Sequence, residues 1–440
     1  MKNLILTVSA VVLSTAPLIA QQTSTSQASA PDISAMQQQI KDLQERIISL
    51  EGQMRMLKSA PPAASAPAGA TVQQPLPAPT PPAAQTQAAV IAGAEGQTPT
   101  LGGAGGSAAK ALNPDISVIC DFIGALGTGT VPALAQQQPF PSMEMHESEV
   151  GLQAIIDPYA RGDFFISFGE EGVNLEEGYI TFTALPKSFV VKVGKMRSAF
   201  GKVNMMHNHV LPWIDRPLVS TNLVGGEDGI DDAGVSIQRI IPAPKGIFLE
   251  ATGQVFRGDS GSGLQSVFKS WQRSDVSTVA HLRSYKDVSE STNLDIGLSY
   301  ARGYNDSGAS FLTNLYGVDA TVRWKPLRRS IYHSFIGRGE LFWSQRQQFP
   351  VEQRAFGFYT SADYQLGRRW FLGGRFDRSA RSKFANLTDN GGSIVLTYWP
   401  SEFSQVRGQY RYTDYAENRS ANELLLQVIF SLGAHGAHPF

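Results

Sequence analysis

The chain has 440 residues, with 37 lysines and arginines balanced by 38 aspartates and glutamates. This balance gives no indication of a polyanionic partner such as nucleic acid. Hydrophobic residues make up 42% of the chain, slightly less than in a typical globular protein. The single cysteine, Cys120, excludes an intrachain disulfide.

The first twenty residues are typical of an export signal. One cation, Lys2, precedes an apolar run over residues 4–20, and two glutamines follow. This pattern predicts a signal peptide over residues 1–20 that is cleaved after Ala20, with residues 28–30 as a second cleavage site. The run is short for a membrane span of about 20 apolar residues, so we expect export rather than a helical anchor.

Residues 31–58 carry an apolar repeat of the kind found in coiled coils. Apolar residues recur at alternating spacings of three and four, flanked by glutamine, arginine and glutamate. We expect a periplasmic helix that associates with copies of itself, and the isoleucines at a positions favour a dimer. The repeat consists of Ile33, Met36, Ile40, Leu43, Ile47, Leu50, Met54 and Leu57.

Residues 59–112 are rich in proline, alanine, glycine and glutamine, with almost no charged or large apolar residues. A chain of this composition cannot bury enough apolar surface to offset its ordering entropy. The sequence therefore predicts a disordered, extended linker that suits a periplasmic spacer.

From residue 113 onwards, apolar and polar residues alternate, and this alternation predicts β-strands. Arg407 and Arg411 lie on one face of their strand, and Tyr410 and Tyr412 lie on the other. Strands of about ten residues with one apolar and one charged face are typical of a barrel with lipid outside and water inside. A soluble sandwich can show the same alternation, so the pattern alone leaves both folds open.

Sixteen strand candidates divide residues 113–440. No second long apolar stretch follows the signal, so a membrane-spanning role requires a closed barrel, because open sheet edges do not persist in hydrocarbon. The expected fold is all-β, a transmembrane antiparallel β-barrel preceded by the short helix and the linker. The candidates centre on Val118, Leu152, Phe165, Phe182, Val191, Ile237, Ala251, Leu282, Leu298, Ala320, Gly339, Ser361, Gly373, Leu396, Gln409 and Val428.

Short and long connections between these candidates alternate. Outer-membrane barrels have short turns at one end and long loops at the other, whereas a sandwich has no reason to segregate them. The connections therefore favour the barrel. The short ones are residues 157–159, 186–187, 242–245, 326–329, 366–368 and 400–402, and the long ones are residues 124–145, 197–232, 258–277 and 344–354.

Residues 194–219, GKMRSAFGKVNMMHNHVLPWIDRPLV, resemble a signature stretch of the phosphate-selective porin (O/P-type) superfamily. The shared features are the Gly-Lys start, the Phe-Gly pair and the acidic-Arg-Pro-Leu ending. The resemblance implies a trimeric outer-membrane channel whose third long loop, here residues 197–232, folds into the pore. We prefer the implied trimer to the dimer that the helix favours, because three barrels would bring three helices together.

Charges near the middle of a strand are expected to face the lumen, because a charge facing lipid costs about 2–4 kcal/mol at mid-membrane. The resemblance implies a lumenal ladder of arginines and lysines. The sequence instead predicts a lumen of mixed charge, which does not favour phosphate selectivity. The basic candidates for pore lining are Lys192, Arg323, Arg338, Arg375, Arg407 and Arg411, and the acids expected among them include Glu149, Glu177, Asp295, Asp319, Glu340 and Asp377.

The loop over residues 197–232 carries the candidate constriction residues. Its acidic ending, residues 225–232, is compatible with an acidic constriction opposite the basic wall of the later strands, with a calcium site, or with a solvated loop. The first arrangement would produce a transverse field that orients polar solutes. The spacing does not match the twelve-residue calcium loop. The candidate residues are His207, His209, Asp215, Arg216, Glu227, Asp228, Asp231 and Asp232.

Two histidines, His207 and His209, could chelate zinc on an extended segment near Asp215. The sequence supplies no third ligand, so no metal site is predicted, and pore-lining histidines are the favoured interpretation. The tail histidines, His435 and His438, are interpreted in the same way.

No catalytic or nucleotide-binding motif occurs, so we expect neither enzymatic activity nor a cofactor. We expect an outer-membrane porin, a water-filled channel for passive diffusion of small polar or charged solutes, with its N-terminal segment in the periplasm. The expected partners are further copies of the chain, outer-membrane lipid and the barrel assembly machinery, which in such barrels recognises a terminal aromatic such as Phe440 or Phe430. The alternative is a structural tether whose coiled coil contacts peptidoglycan.

Overall fold

The computed structural model describes residues 114–129, 143–169, 172–261 and 265–433, and these residues form sixteen β-strands and four short helices. The strands are β1 (Asp115–Gly129), β2 (Met143–Asp157), β3 (Ala160–Gly169), β4 (Gly172–Phe182), β5 (Phe189–Arg197), β6 (Asp231–Ile241), β7 (Ile247–Phe256), β8 (Ser277–Ser289), β9 (Thr292–Asn305), β10 (Gly308–Trp324), β11 (Phe335–Arg346), β12 (Gln353–Gly367), β13 (Trp370–Arg381), β14 (Phe384–Ser401), β15 (Ser404–Tyr415) and β16 (Arg419–Gly433). The helices are three 3-10 helices, Pro186–Ser188, Val203–Met205 and Asn208–Val210, and the α-helix α1 (Leu218–Leu223).

The strands form one closed antiparallel barrel. Each strand pairs with its neighbours in the chain, and β1 pairs with β16 to complete the ring. All sixteen predicted strand centres fall within these strands, so the prediction of a sixteen-stranded barrel is confirmed. Among the described residues, no helix has the length and apolar character needed to cross a membrane. The predicted signal peptide (1–20), helix (31–58) and linker (59–112) lie outside the described residues, as does the tail from residue 434.

Several strands are longer than the sequence predicted. Residues 124–129 and 143–145 continue β1 and β2, and residues 344–346 and 353–354 continue β11 and β12, although all were assigned to loops. Residues 125–129 pair with β16 and the other extra residues pair across their hairpins, which satisfies backbone groups that a loop would have to solvate. Predicting each strand from its membrane-spanning alternation therefore underestimates its length.

The two ends of the barrel differ. We call the end where β1 ends, β2 begins and residues 198–230 leave the wall the loop end, and the opposite end, where β1 begins and β16 ends, the turn end. The separation is less regular than predicted, because the loop end also has two-residue turns at 306–307 and 382–383. At the turn end, the connection predicted at residues 326–329 extends over 325–334 and is held by hydrogen bonds such as Tyr332 N–H to Arg329 O (2.9 Å).

The barrel carries apolar side chains outside and polar side chains inside. In β15, Arg407 and Arg411 are buried while Tyr410 and Tyr412 are about half exposed (49% and 45%). The same inversion runs along β16, where Leu424, Leu426, Phe430 and Leu432 are exposed and Glu423, Gln427 and Ser431 are buried. A soluble sandwich buries the apolar face, so this distribution is that of a wall facing a nonpolar solvent.

The main apolar core lies inside the ring. It is formed by the loop over residues 198–230, which we call loop 198–230, and by inward-facing side chains of the wall. Phe200, Trp213 and Leu223 of the loop are fully buried against wall residues such as Phe342 and Tyr359. Burying each such side chain stabilises the packing by about 1.5–3 kcal/mol.

Candidate functional site

Loop 198–230 occupies the interior of the barrel, and nearly all its side chains are buried or half-buried, with Asp228 exposed. The loop is slightly shorter than the predicted 197–232, because Arg197 pairs with Asp231 and Met196 with Asp232 in the β5–β6 ladder. Two of the candidate constriction residues, Asp231 and Asp232, therefore belong to β6.

The loop enters the lumen through a tight turn at Gly201. Its φ of 65° lies in the left-handed region, and a Cβ there would lie 2.7 Å from Cζ of Phe342. Only glycine accommodates both constraints without strain. Wall side chains then accept the loop's backbone N–H groups: Ser299 Oγ accepts from Gly201 (2.9 Å) and Glu340 Oε1 from Val203 (3.0 Å).

Asp215 joins the loop to the basic wall of β13 and β15. Its Oδ2 accepts hydrogen bonds from Arg375 Nη2 (2.8 Å) and Arg411 Nη1 (2.7 Å), and its Oδ1 accepts one from Gln409 Nε2 (2.5 Å). Burial raises the pKa of Asp215, but the two guanidinium groups outweigh it and hold the pKa well below its usual range. Asp215 is therefore ionised at neutral pH, and the loop is tied to the wall by charge-assisted bonds.

The two arginines each have a second carboxylate on the wall. Arg375 Nε donates to Asp377 Oδ2 (2.7 Å), and Arg411 Nε donates to Glu423 Oε2 (3.0 Å). Every member of this network is buried. Carboxylates of the wall and the loop thus compensate the charges of Arg375 and Arg411, and neither guanidinium group is exposed.

Arg407, the third basic residue of this wall, binds the loop through its backbone. Its Nη1 donates to Trp213 O (3.1 Å) and to Gln427 Oε1 (2.8 Å), and its side chain is buried. Trp213 also stacks edge-on against Tyr359, with ring centroids 5.2 Å apart. Arg375, Arg407 and Arg411 therefore lie on the inner wall but beneath the loop.

The histidines turn to the other side of the barrel, away from Asp215. His207 Nδ1 lies 2.6 Å from Glu149 Oε2 of β2, and its Nε2 lies 3.0 Å from Glu177 Oε2 of β4. Burial lowers the pKa of His207, but Glu149 and Glu177 raise it well above its ordinary value. His209 lies beside it, with Nδ1 4.0 Å from Glu149 Oε2.

The acidic segment over residues 225–232 does not meet the basic wall of β10–β15. Glu227 Oε1 contacts His146 Nε2 (2.7 Å) and accepts from Asn208 Nδ2 (2.6 Å), both on the side of the histidines. Asp231 pairs with Lys195 at 2.8 Å. The loop residue that meets the basic wall is Asp215, so one of the three arrangements compatible with the sequence, an acidic 225–232 facing that wall, is not observed.

Asp232 has its own structural partners. Its Oδ2 accepts the backbone N–H groups of Gly258 (2.7 Å) and Asp259 (2.8 Å). Within the described residues, the clusters whose ligand atoms lie close enough for a metal ion do not include residues 225–232. The Asp232 carboxylate thus binds the backbone at the start of the connection that follows β7.

Arg216, in contrast, binds within the loop itself. It donates to Val203 O (3.0 Å), Met206 O (2.6 Å) and Asn208 Oδ1 (3.0 Å). Burial lowers its pKa to about 10. Arg216 therefore holds the two 3-10 turns of the loop together.

The remaining basic candidates lie towards the turn end. Lys192 Nζ lies 4.4 Å from the ring centroid of Tyr179, Arg338 pairs with Asp363, and Arg323 Nη1 lies 3.7 Å from Asp295 Oδ2. All are half-buried or partly exposed, unlike the arginines beneath the loop. They are interleaved with acids, so the inner wall carries both signs of charge.

A small cleft opens between the loop and β10–β12. Both signs of charge line it, from Lys202, Asp319, Arg338 and Glu340. Lys202 of the loop, which was not among the residues predicted from the sequence, forms an ion pair with Asp295, with Nζ 2.5 Å from Oδ2.

Two acids that were not selected from the sequence, Glu147 and Glu176, lie close to Glu149 on the same side of the barrel as the histidines. Glu147 lies two residues before Glu149 on the same face of β2, which the alternation could have revealed. Glu176 is hidden by a bulge: Phe165 pairs with Glu177 and Ile166 with Leu175, so Glu176 is an extra residue. A bulge lets two consecutive side chains point to one face, which strict alternation excludes.

No family model matches the chain, so membership of the phosphate-selective porins stays a prediction. An uncharacterised protein of Aquifex aeolicus (strain VF5) is 28% identical over 390 residues, covering 75% of this chain and 81% of that protein. Among solved structures, the anion-selective porin from Comamonas acidovorans has a TM-score of 0.50 and 9% identity, over 72% of this chain and 99% of the porin. The outer membrane channel DcaP of Acinetobacter baumannii has a TM-score of 0.48 and 12% identity, over 73% and 96%. At 9% identity, the likeness to the anion-selective porin is one of fold alone.

Proposed function

We propose that the protein is an outer-membrane porin through which small polar or charged solutes diffuse passively. The observation that carries this proposal is the inverted burial of the closed barrel, with apolar residues such as Leu426 outside and charged residues such as Arg411 inside. A ring with this distribution can satisfy its backbone in hydrocarbon and offer a polar path across it. The fold shared with an anion-selective porin supports the same function.

In this proposal, loop 198–230 sets the size of the path and the inner charges set its selectivity. Acids and bases alternate around the loop, as in the contacts of Lys202 with Asp295 and of Arg338 with Asp363. A mixed field orients polar solutes without strongly favouring one sign of charge. We therefore propose weak ion selectivity rather than a phosphate-selective ladder.

We also propose a homotrimer that is inserted by the barrel assembly machinery, with residues 31–58 as a periplasmic coiled coil. The support is the heptad repeat of those residues and the position of Asp115 at the turn end. In outer-membrane barrels, the short turns face the periplasm.

Planar-bilayer recording on the purified exported protein tests the channel. We expect discrete conductance steps and, in a salt gradient, a reversal potential near zero, because the inner wall carries both signs of charge. Absence of any ion current would contradict the porin. A current with strong anion preference would keep the channel but contradict the mixed lumen.

A structural tether of the cell envelope is the second candidate, and the burial of nearly all side chains of loop 198–230 inside the ring favours it. A barrel filled in this way could serve as an anchor. The tether predicts that the exported protein binds isolated peptidoglycan, that deleting residues 31–58 abolishes this binding, and that no conductance is measured. Conductance without peptidoglycan binding would exclude it.

A further inference from the structure

Five side chains that are typical metal ligands converge where loop 198–230 meets β2 and β4. Ligand atoms of Glu149, His207 and His209 all lie within 4.8 Å of one another, and so do those of Glu147, Glu149 and Glu176. Glu149 belongs to both groups, so the five residues form one cluster. Each is buried, and the most exposed, Glu176 and His209, are only 8% exposed.

One β-bulge directs a side chain into this cluster, and a second lies beside it. In β4, Glu176 is the extra residue, so both it and Glu177 are buried. In β2, Asp121 pairs with Glu147 and Phe122 with Met145, which leaves His146 as the extra residue. Bulges that redirect side chains are enriched beside functional sites.

The cluster contains a carboxylate without adequate partners. Glu147 Oε1 is fully buried and accepts no N–H group in the part of the chain that the structure describes, although the carboxyl group lies against that of Glu176, with which it can share a proton. Glu147 Oε2 accepts one long bond, from Asn208 Nδ2 at 3.4 Å. Leaving a buried oxygen of this kind unsatisfied is unfavourable, and more so when it is charged. A cation at this position would remove that cost.

The neighbouring acids are only partly compensated by bases. Glu176 Oε2 pairs with Arg197 Nη2 at 2.8 Å, and Glu149 pairs with His207. In the described ranges, no basic nitrogen forms an ion pair with Glu147. The carboxylates thus concentrate negative charge around the two imidazoles.

We propose that Glu147, Glu149, Glu176, His207 and His209 bind a divalent transition-metal ion that joins the loop to the wall. Imidazole with carboxylate suits zinc, iron or manganese, whereas calcium and magnesium prefer oxygen ligands alone. This site is independent of the channel activity proposed above.

The distances leave room for an ion. Glu176 Oε2 lies 3.5 Å from His207 Nδ1, and Glu149 Oε2 lies 4.0 Å from His209 Nδ1. Ligands about 2.0–2.1 Å from a tetrahedral ion are about 3.3 Å apart, so a small inward movement would place four of the five residues around the ion. The hydrogen bond between His207 Nδ1 and Glu149, at 2.6 Å, would give way to the ion.

Zinc binding to the purified, chelator-treated exported protein tests the site by equilibrium dialysis. We expect one zinc ion per chain, and a loss of affinity of more than about 100-fold in His209→Asn and Glu147→Gln, since removing even an outer-shell partner costs roughly 10–100-fold. Glu147→Gln is expected to fold normally, because glutamine has nearly the same shape and, among the described residues, Glu147 has no ion-pair partner to lose. It therefore decides the test if His209→Asn fails to fold.

Two control variants are expected to bind zinc like the wild type. His281→Asn replaces a buried interior histidine that hydrogen-bonds Ser299 at 2.8 Å, outside the cluster. His435→Asn with His438→Asn removes the tail histidines. The proposal is overturned if the wild type binds no zinc, if Glu147→Gln binds it as tightly as the wild type, or if only the tail variant loses it. Equal affinity for calcium would overturn the transition-metal assignment.

Discussion

Asp215 shows how a buried charge can fix a loop inside a barrel. It lies between Arg375 and Arg411, and all three side chains are almost completely buried. Replacing a whole buried ion pair by apolar residues is often neutral, but removing one partner leaves an uncompensated charge and costs about 3–5 kcal/mol. The position of the loop therefore depends on this carboxylate more than on any exposed ion pair.

We predict that Asp215→Asn destabilises the protein by about 3 kcal/mol. The lower end of the range of about 3–5 kcal/mol applies, because Arg375 keeps its ion pair with Asp377 and Arg411 keeps its ion pair with Glu423. The measurement is the free energy of unfolding in urea, in lipid vesicles. Glu352→Gln, which breaks an exposed ion pair with Arg354, is the control and should cost less than about 1 kcal/mol. Equal effects of the two variants would contradict the anchoring role.

At the residue scale, the sequence predicted single positions better than partnerships. Arg375, Arg411 and Asp215 were each selected, the arginines by alternation and the aspartate by its place in the loop. Their pairing joins residues 160 and 196 positions apart in the chain, which no local pattern encodes. Glu176 was missed because a bulge interrupts the alternation on which its selection would depend.

At the scale of the element, loop 198–230 behaves as a small folded unit. Its interior packing centres on Trp213, which is fully buried, contacts Tyr359 and lies under the guanidinium of Arg375, 4.9 Å from the ring centroid. Arg216 binds the loop's own carbonyl groups. Such a loop can be loosened by one change in its core.

We predict that Trp213→Ala raises the single-channel conductance. Removing a buried tryptophan costs about 3–5 kcal/mol, which is enough to release the loop from part of the wall and widen the path. Conductance steps in planar bilayers provide the measurement. Trp271→Ala, at a half-exposed tryptophan of residues 257–276, should leave the steps unchanged. A lower or unchanged conductance in Trp213→Ala would show that the loop does not limit the path.

The strands themselves illustrate what alternation can and cannot predict. It placed every strand centre, because burial on a single face imposes a period of two along the chain. It misplaced the ends of β1, β2, β11 and β12, where pairing with β16 or across a hairpin continues beyond the alternating part. At those residues, backbone hydrogen bonding determines the structure, and side-chain polarity carries no signal.

For the whole molecule, the apolar outer face is the feature that distinguishes a membrane barrel from a soluble one. Leu426 lies at the middle of β16 and is 47% exposed, whereas Gln427, the next residue, is buried. Both neighbours of Leu426 across the ladders, Gly124 and Gly408, are glycines. The leucine side chain therefore stands on an open part of the outer wall.

We predict that Leu426→Arg destabilises the barrel in lipid vesicles by about 2–4 kcal/mol, because the charge would face hydrocarbon near mid-membrane. Ser420→Arg, at an exposed position close to the loop end of the same strand, should cost only about 0–1 kcal/mol. Urea unfolding in vesicles measures both. Similar small costs for the two variants would mean that this face does not contact lipid.

The attachments of loop 198–230 are distributed around the ring. His207 binds β2 and β4, Ala199 N–H donates to Gln254 of β7, and further contacts reach β9, β11, β13 and β15. A closed barrel with an empty interior can be flattened by lateral pressure. In this barrel, loop 198–230 connects strands on different sides of the wall, and these connections oppose flattening. We therefore expect the cross-section of this barrel to resist deformation by membrane tension.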